Sequence, residues 1–134
     1  MKKIFIVIIV LLGGVFLLQS PKVDAGSGWS KEYISNLSKG DCKGIASGDK
    51  SYCDGRDCKG IAAKDKSYCS SSDCKGVASG DKYYCSSRLC KGWASKDKSY
   101  CDGRDCKGVA SGDKSYCESR QCKAIASGDK SYCP

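Results

Sequence analysis

Cysteine recurs in this chain with a strict rhythm, eleven residues and then five, at Cys42, Cys53, Cys58, Cys69, Cys74, Cys85, Cys90, Cys101, Cys106, Cys117, Cys122 and Cys133. The rhythm frames a 16-residue unit written six times, from DCKGIASGDKSYCDGR at Asp41 to QCKAIASGDKSYCP at the end. A period of this kind marks one supersecondary unit that cannot bury its own apolar face and stacks on copies of itself. The fold class it predicts is a small, disulfide-rich tandem-repeat solenoid over residues 41–134.

Residues 1–25 read as a signal peptide. Lys2 and Lys3 form a charged start, Ile4 to Leu18 an apolar run, and Val23-Asp24-Ala25 a small-residue cleavage site. A membrane span needs about 20 apolar residues, so no stable span is expected after cleavage; an uncleaved anchor is the alternative. Export implies a secreted, periplasmic or cell-surface location. In such an oxidising setting an even, regularly spaced cysteine set is a disulfide framework. A thiolate metal site is the weaker reading, because the gaps are C-x4-C and C-x10-C and the chain has no histidine. No cofactor is expected.

Three disulfide patterns are open. Pairing within a copy, Cys42 with Cys53 and onward, uses every thiol and closes each unit as it emerges; it is the favoured pattern. Pairing across the short gap, Cys53 with Cys58 and onward, strands Cys42 and Cys133 at opposite ends. Stacked pairing, Cys42 with Cys58 and Cys53 with Cys69, ties the layers in twos. Each copy has one aliphatic residue or Trp and little else that is apolar, so bridges rather than burial should carry the fold.

Short helical turns are favoured for the unit, with a β-solenoid coil as the alternative. Cys42, Ile45 and Ala46 are spaced i, i+3, i+4, one helical face. Asp41 is placed to cap that turn, and Ser47 to cap a second turn over 48–53 with Asp49 at its start. The chain has no threonine and does not alternate. Coils about 4.8 Å apart would also stack lysine on lysine, at roughly 0.8 kcal/mol per neighbour even in bulk water. The Gly44 series turns to Ala124 in the last copy, so smallness is what it needs. The Gly48 series turns to Lys64 and Lys96, which argues against a special backbone there.

Residues 26–40 lie before the repeats. Trp29, Tyr33, Ile34 and Leu37 are spaced as one helical face, with Ser30 to cap it and Gly40 to end it, the pattern of an N-terminal capping helix. The far end, Cys133-Pro134, shows no cap, and end-to-end self-association is the expected result. The unit resembles cysteine-rich tandem-repeat proteins exported by bacteria, through Cys42-Lys43-Gly44-Ile45 and Asp49-Lys50-Ser51-Tyr52-Cys53, over residues 41–133. That resemblance implies export and small helical repeats, and no activity.

Nothing here is arranged for catalysis. With no histidine and every Asp and Lys duplicated by the repeat, no residue is set apart for acid–base work. From residue 26 on there are 20 Lys+Arg against 14 Asp+Glu, a net charge near +6. Two lysine series, Lys43, Lys59, Lys75, Lys91, Lys107, Lys123 and Lys50, Lys66, Lys82, Lys98, Lys114, Lys130, accompany one tyrosine per copy. They form a candidate face for an anionic glycan, envelope polymer or extracellular nucleic acid. A filled core and a soluble surface are the structural explanation of the same residues. An ice-binding solenoid and a cationic toxin or antimicrobial are the alternatives; the first lacks threonine, the second an apolar stripe. Around copies three and four, Tyr83, Leu89 and Trp93 all depart from the unit toward larger apolar groups. They form a candidate contact patch, unless Trp93 fills a local cavity.

Overall fold

The computed structural model describes residues 28–134. The expected signal peptide lies outside the described residues. Six α-helices carry the repeats: α1 (Lys39–Ser47), α2 (Arg56–Ala63), α3 (Ser72–Ser79), α4 (Arg88–Ser95), α5 (Arg104–Ser111) and α6 (Arg120–Ser127). A 3-10 turn follows each, from Lys50–Tyr52 to Lys130–Tyr132, and there is no strand among the described residues. The helical reading of the unit holds.

The capping details differ from expectation by one turn. Ser38, Ser71, Ser87 and Ser119 cap their helices by accepting the backbone N–H three residues on. The Asp41 position instead sits in the first turn, where the helix dipole favours an acid. Its carboxylate reaches forward to the end of its own unit, where the chain enters the next helix: Asp41 accepts from the N–H groups of Asp54 and Gly55 at 2.7 and 3.3 Å, Asp57 from Ser70 and Ser71, and Asp105 from Glu118 and Ser119. Asp49, expected inside the second turn, is its cap and accepts from the Ser51 N–H at 2.9 Å. Ser47 ends α1 rather than starting the turn, donating back to the Lys43 carbonyl.

Each helix stops on a left-handed residue. Gly48, Gly80, Gly112 and Gly128 have φ of 73–77°, and Lys64 and Lys96 hold φ of 58° and 60°. The position is conformationally special after all. A residue with a Cβ costs roughly 1–2 kcal/mol there, and two lysines bear that cost. The Gly44 series behaves as expected: a Cβ on Gly60 would lie 2.5 Å from the Cys69 sulfur.

The bridges overturn the favoured pairing. Cys53–Cys58, Cys69–Cys74, Cys85–Cys90, Cys101–Cys106 and Cys117–Cys122 cross the short gaps, each joining one copy's 3-10 turn to the next copy's helix. Cys42 and Cys133, the pair this pattern strands, bond to each other with Cα atoms 5.9 Å apart. The reason is that the solenoid closes. α6 packs on α1 as every other neighbouring pair packs, and the last 3-10 turn also meets α1. The molecule is a six-membered ring, and the free end that end-to-end association needs is covered by the first copy.

Residues 28–38 do not extend the stack as a capping helix. They run in turns over 31–36, and Gly40 falls inside α1 rather than ending a helix. The segment lies against the amino ends of the helices and plugs that mouth of the ring. Ile34 is fully buried, packed in the core with Leu89, Trp93 and Val109.

Candidate functional site

Three places on the ring gather functional groups: the plugged mouth, the outer belt and the open mouth.

At the plugged mouth, Trp29 stacks on Tyr33 with ring centroids 4.1 Å apart and meets Trp93 at 6.0 Å. The Trp29 N–H donates to Asp73 at 2.7 Å; Asp73, 1% exposed, also accepts from Ser86 and Ser87. Burial pushes the Tyr33 phenol well above its ordinary range, and Asp57, Asp41 and Asp73 push it further. Two copies lack the bridging aspartate, and the plug accounts for both. In copy six Gln121 donates its amide to the carbonyls of Ser35 and Leu37 at 2.8 and 3.2 Å. The chain entering α1 presents carbonyls there, so a donor must replace the acceptor. In copy four Leu89 packs in the core that Trp29 flanks, and an Arg88–Asp102 ion pair at 3.0 Å joins the start of α4 to the end of that copy instead. Trp93 is 9% exposed and Leu89 5%, whereas Tyr83 is 90% exposed. The three residues therefore do not form one outer surface, and Trp93 faces the plug.

The belt uses one lysine series. Lys50 donates to the Tyr68 hydroxyl at 2.6 Å with its ammonium 4.6 Å above that ring's centroid. The relation repeats as Lys66 to Tyr84, Lys82 to Tyr100, Lys98 to Tyr116 and Lys114 to Tyr132. Lys130 closes the circle on Tyr52. The hydroxyl contact raises all six lysines above their ordinary value. The Ser51-type hydroxyl and N–H lower the aspartates at 49, 65, 97, 113 and 129. The like-charge clash foreseen for stacked lysines is thus interrupted by a tyrosine between neighbours. The other series is mostly half-buried along the helices, and among the described residues no ion pair involves it.

The open mouth is a cup of about 800 Å³ lined by all six helix carboxyl ends. The slot of Ile45, Ile61, Val77, Trp93, Val109 and Ile125 forms its apolar floor, the Ala46 series its wall, and serines, glycines, Lys64 and Lys96 its rim. The serine, glycine and alanine positions of the copies therefore curve around a cavity instead of lying on one flat face. Asp41, Cys53 and Cys58 come within reach of a common ion, as do three equivalent sets, but the sulfurs are bonded to each other and supply no thiolate.

These features define a disulfide-stapled closed ring of helical repeats. No protein-family model, curated protein or solved structure matched the chain. Among the described residues no cysteine is free, which fits an oxidising compartment, and no helix is long and apolar enough to cross a membrane.

Sequence reasoning named the belt lysines and Trp93 but missed the cup. Its one signal was the single aliphatic slot per copy, which six copies turn into a common floor.

Proposed function

We propose that the protein is an exported, non-enzymatic binding module whose cationic belt grips an anionic polymer such as an acidic glycan, an envelope polysaccharide or extracellular nucleic acid. The observation that carries this reading is the closed circle of six lysines, each held over the next copy's tyrosine at 4.6–5.0 Å. A free lysine loses side-chain entropy when it meets a ligand; these are already ordered, so less is lost on binding. Each ammonium has three donors and gives one to tyrosine, leaving two for phosphate, sulfate or carboxylate. Six such groups on a rigid ring act together on a repeated ligand, where the second contact is intramolecular.

Retention on heparin beads tests the reading. It should fall steeply between low and moderate salt, because ion release drives binding of this type. Replacing alternate belt lysines, Lys50→Gln with Lys82→Gln and Lys114→Gln, should lower the eluting salt concentration and flatten the salt slope. Retention indifferent to salt, or unchanged in the triple variant, rejects the belt as the binding surface.

A further inference from the structure

At the open mouth, copies two and four break the repeat without any partner inside the molecule. Four copies end their helix on glycine, but Lys64 and Lys96 take the left-handed conformation at the same place. Both line the cup, and neither forms an ion pair among the described residues. The left-handed cap closes the helix end in every copy, so the backbone itself serves the fold; lysine in place of glycine there adds strain with no internal partner, and such strain collects where a ligand is held.

Two further features narrow the ligand. The carbonyls of Ala46, Ala62, Ala78, Ala94, Ala110 and Ala126 lie past the last intrahelical bond and accept no hydrogen bond among the described residues. Their residues form the cup wall, so the wall offers a circle of acceptors to a ligand rich in donors. Below them lies an apolar floor with Trp93 in it.

We infer that the cup binds an acidic sugar. Its carboxylate meets Lys64 and Lys96, its hydroxyls donate to the alanine carbonyls, and its C–H face rests on the floor. A plain apolar acid would leave the circle of alanine carbonyls unanswered, since it has no hydroxyl to donate. A neutral sugar would leave both lysines unused. The volume lies within the range of small-ligand sites. Neither lysine belongs to the belt, so this site stands apart from the polymer-binding reading.

Calorimetric titration of the disulfide-intact protein with glucuronate, glucose and cyclohexanecarboxylate tests the inference. Glucuronate should bind at least about tenfold more tightly than either comparison compound: against glucose by the weight of one charge-assisted hydrogen bond, against cyclohexanecarboxylate by that of one or two hydroxyl hydrogen bonds. The double variant Lys64→Gly, Lys96→Gly should melt at higher temperature, because the strain is gone, yet lose about tenfold in glucuronate affinity. A loss of binding in a protein that became more stable cannot be blamed on misfolding. Undiminished affinity in that variant overturns the role of the lysines. Glucose as tight as glucuronate overturns the acid, and cyclohexanecarboxylate as tight overturns the sugar. The belt variants should leave the glucuronate titration unchanged while weakening heparin retention, so each reading fails by its own result.

Discussion

The two mouths of the ring are built by the same six helices and differ in what meets them. At the amino ends the chain fills its own ring: Ile34 is buried, Trp29 meets Trp93, and Asp73 and Gln121 hold the backbone of the plug. At the carboxyl ends lies an open cup. Departures from the repeat at the filled mouth, Leu89, Trp93 and Gln121, all serve a segment of the same molecule. Lys64 and Lys96 at the open mouth serve none. An irregular copy in a repeat protein thus carries two kinds of information, and the position of its partner separates them.

The comparison can be broken hardest at ring closure. Replacing Cys42 and Cys133 together by serine removes a bridge spanning 91 positions. The chain-entropy model gives about 4.6 kcal/mol for a loop of that length and about 2 kcal/mol for one of the short-gap bridges. Chemical denaturation should therefore show roughly twice the loss for this pair as for Cys53→Ser with Cys58→Ser. Equal losses would mean that closure adds nothing beyond a local staple.

A smaller change separates the mouths. Ile34→Ala empties the centre of the plug and should destabilise by about 3 kcal/mol, as buried isoleucine truncations do. Glucuronate affinity should stay within about threefold of wild type, well under the tenfold effect expected of the rim lysines. A larger drop would show that plug and cup are one coupled site.

The gentlest probe is alkaline pH. Tyr33 is raised above its ordinary 10.0 in the fold, so the native phenol stays neutral while the unfolded one ionises. Its stabilisation is complete below about pH 10 and is lost as pH rises through the folded value. The belt lysines, raised above 10.5 by the tyrosine hydroxyls, stabilise fully below about pH 10.5 and are lost above it, in the same sense. Melting temperature should decline on the alkaline side, and Tyr33→Phe should make that decline shallower. An identical decline in the variant would assign it to the belt alone.

Much of the unit was legible in sequence because its determinants are local. The i, i+3, i+4 spacing of Cys42, Ile45 and Ala46 gives the helix, and Gly44 marks the close approach of a bridge. Closure was not legible, since the angular step between neighbours is set by contacts between copies, which no single copy encodes. With a straight stack in mind, pairing Cys53 to Cys58 strands two thiols; in a ring the stranded thiols are neighbours. Trp93 and Leu89 were visible as exceptions, but their partner lies far back in the chain at Trp29. Lysine at 64 and 96 hid the left-handed turn, because a residue that tolerates strain looks like one that has none.

Closure also bears on how such a gene can change. An open array can lengthen or shorten by whole units and remain the same kind of object, because each copy answers only to its neighbours. Here the Cys42–Cys133 bond and the Lys130–Tyr52 contact join the two ends of the count. Duplicating one unit would leave the old angular step closing too early and the plug too narrow for its hole. The number six is therefore a property of the side chains facing the axis, and a lineage could alter it only by rewriting every copy together.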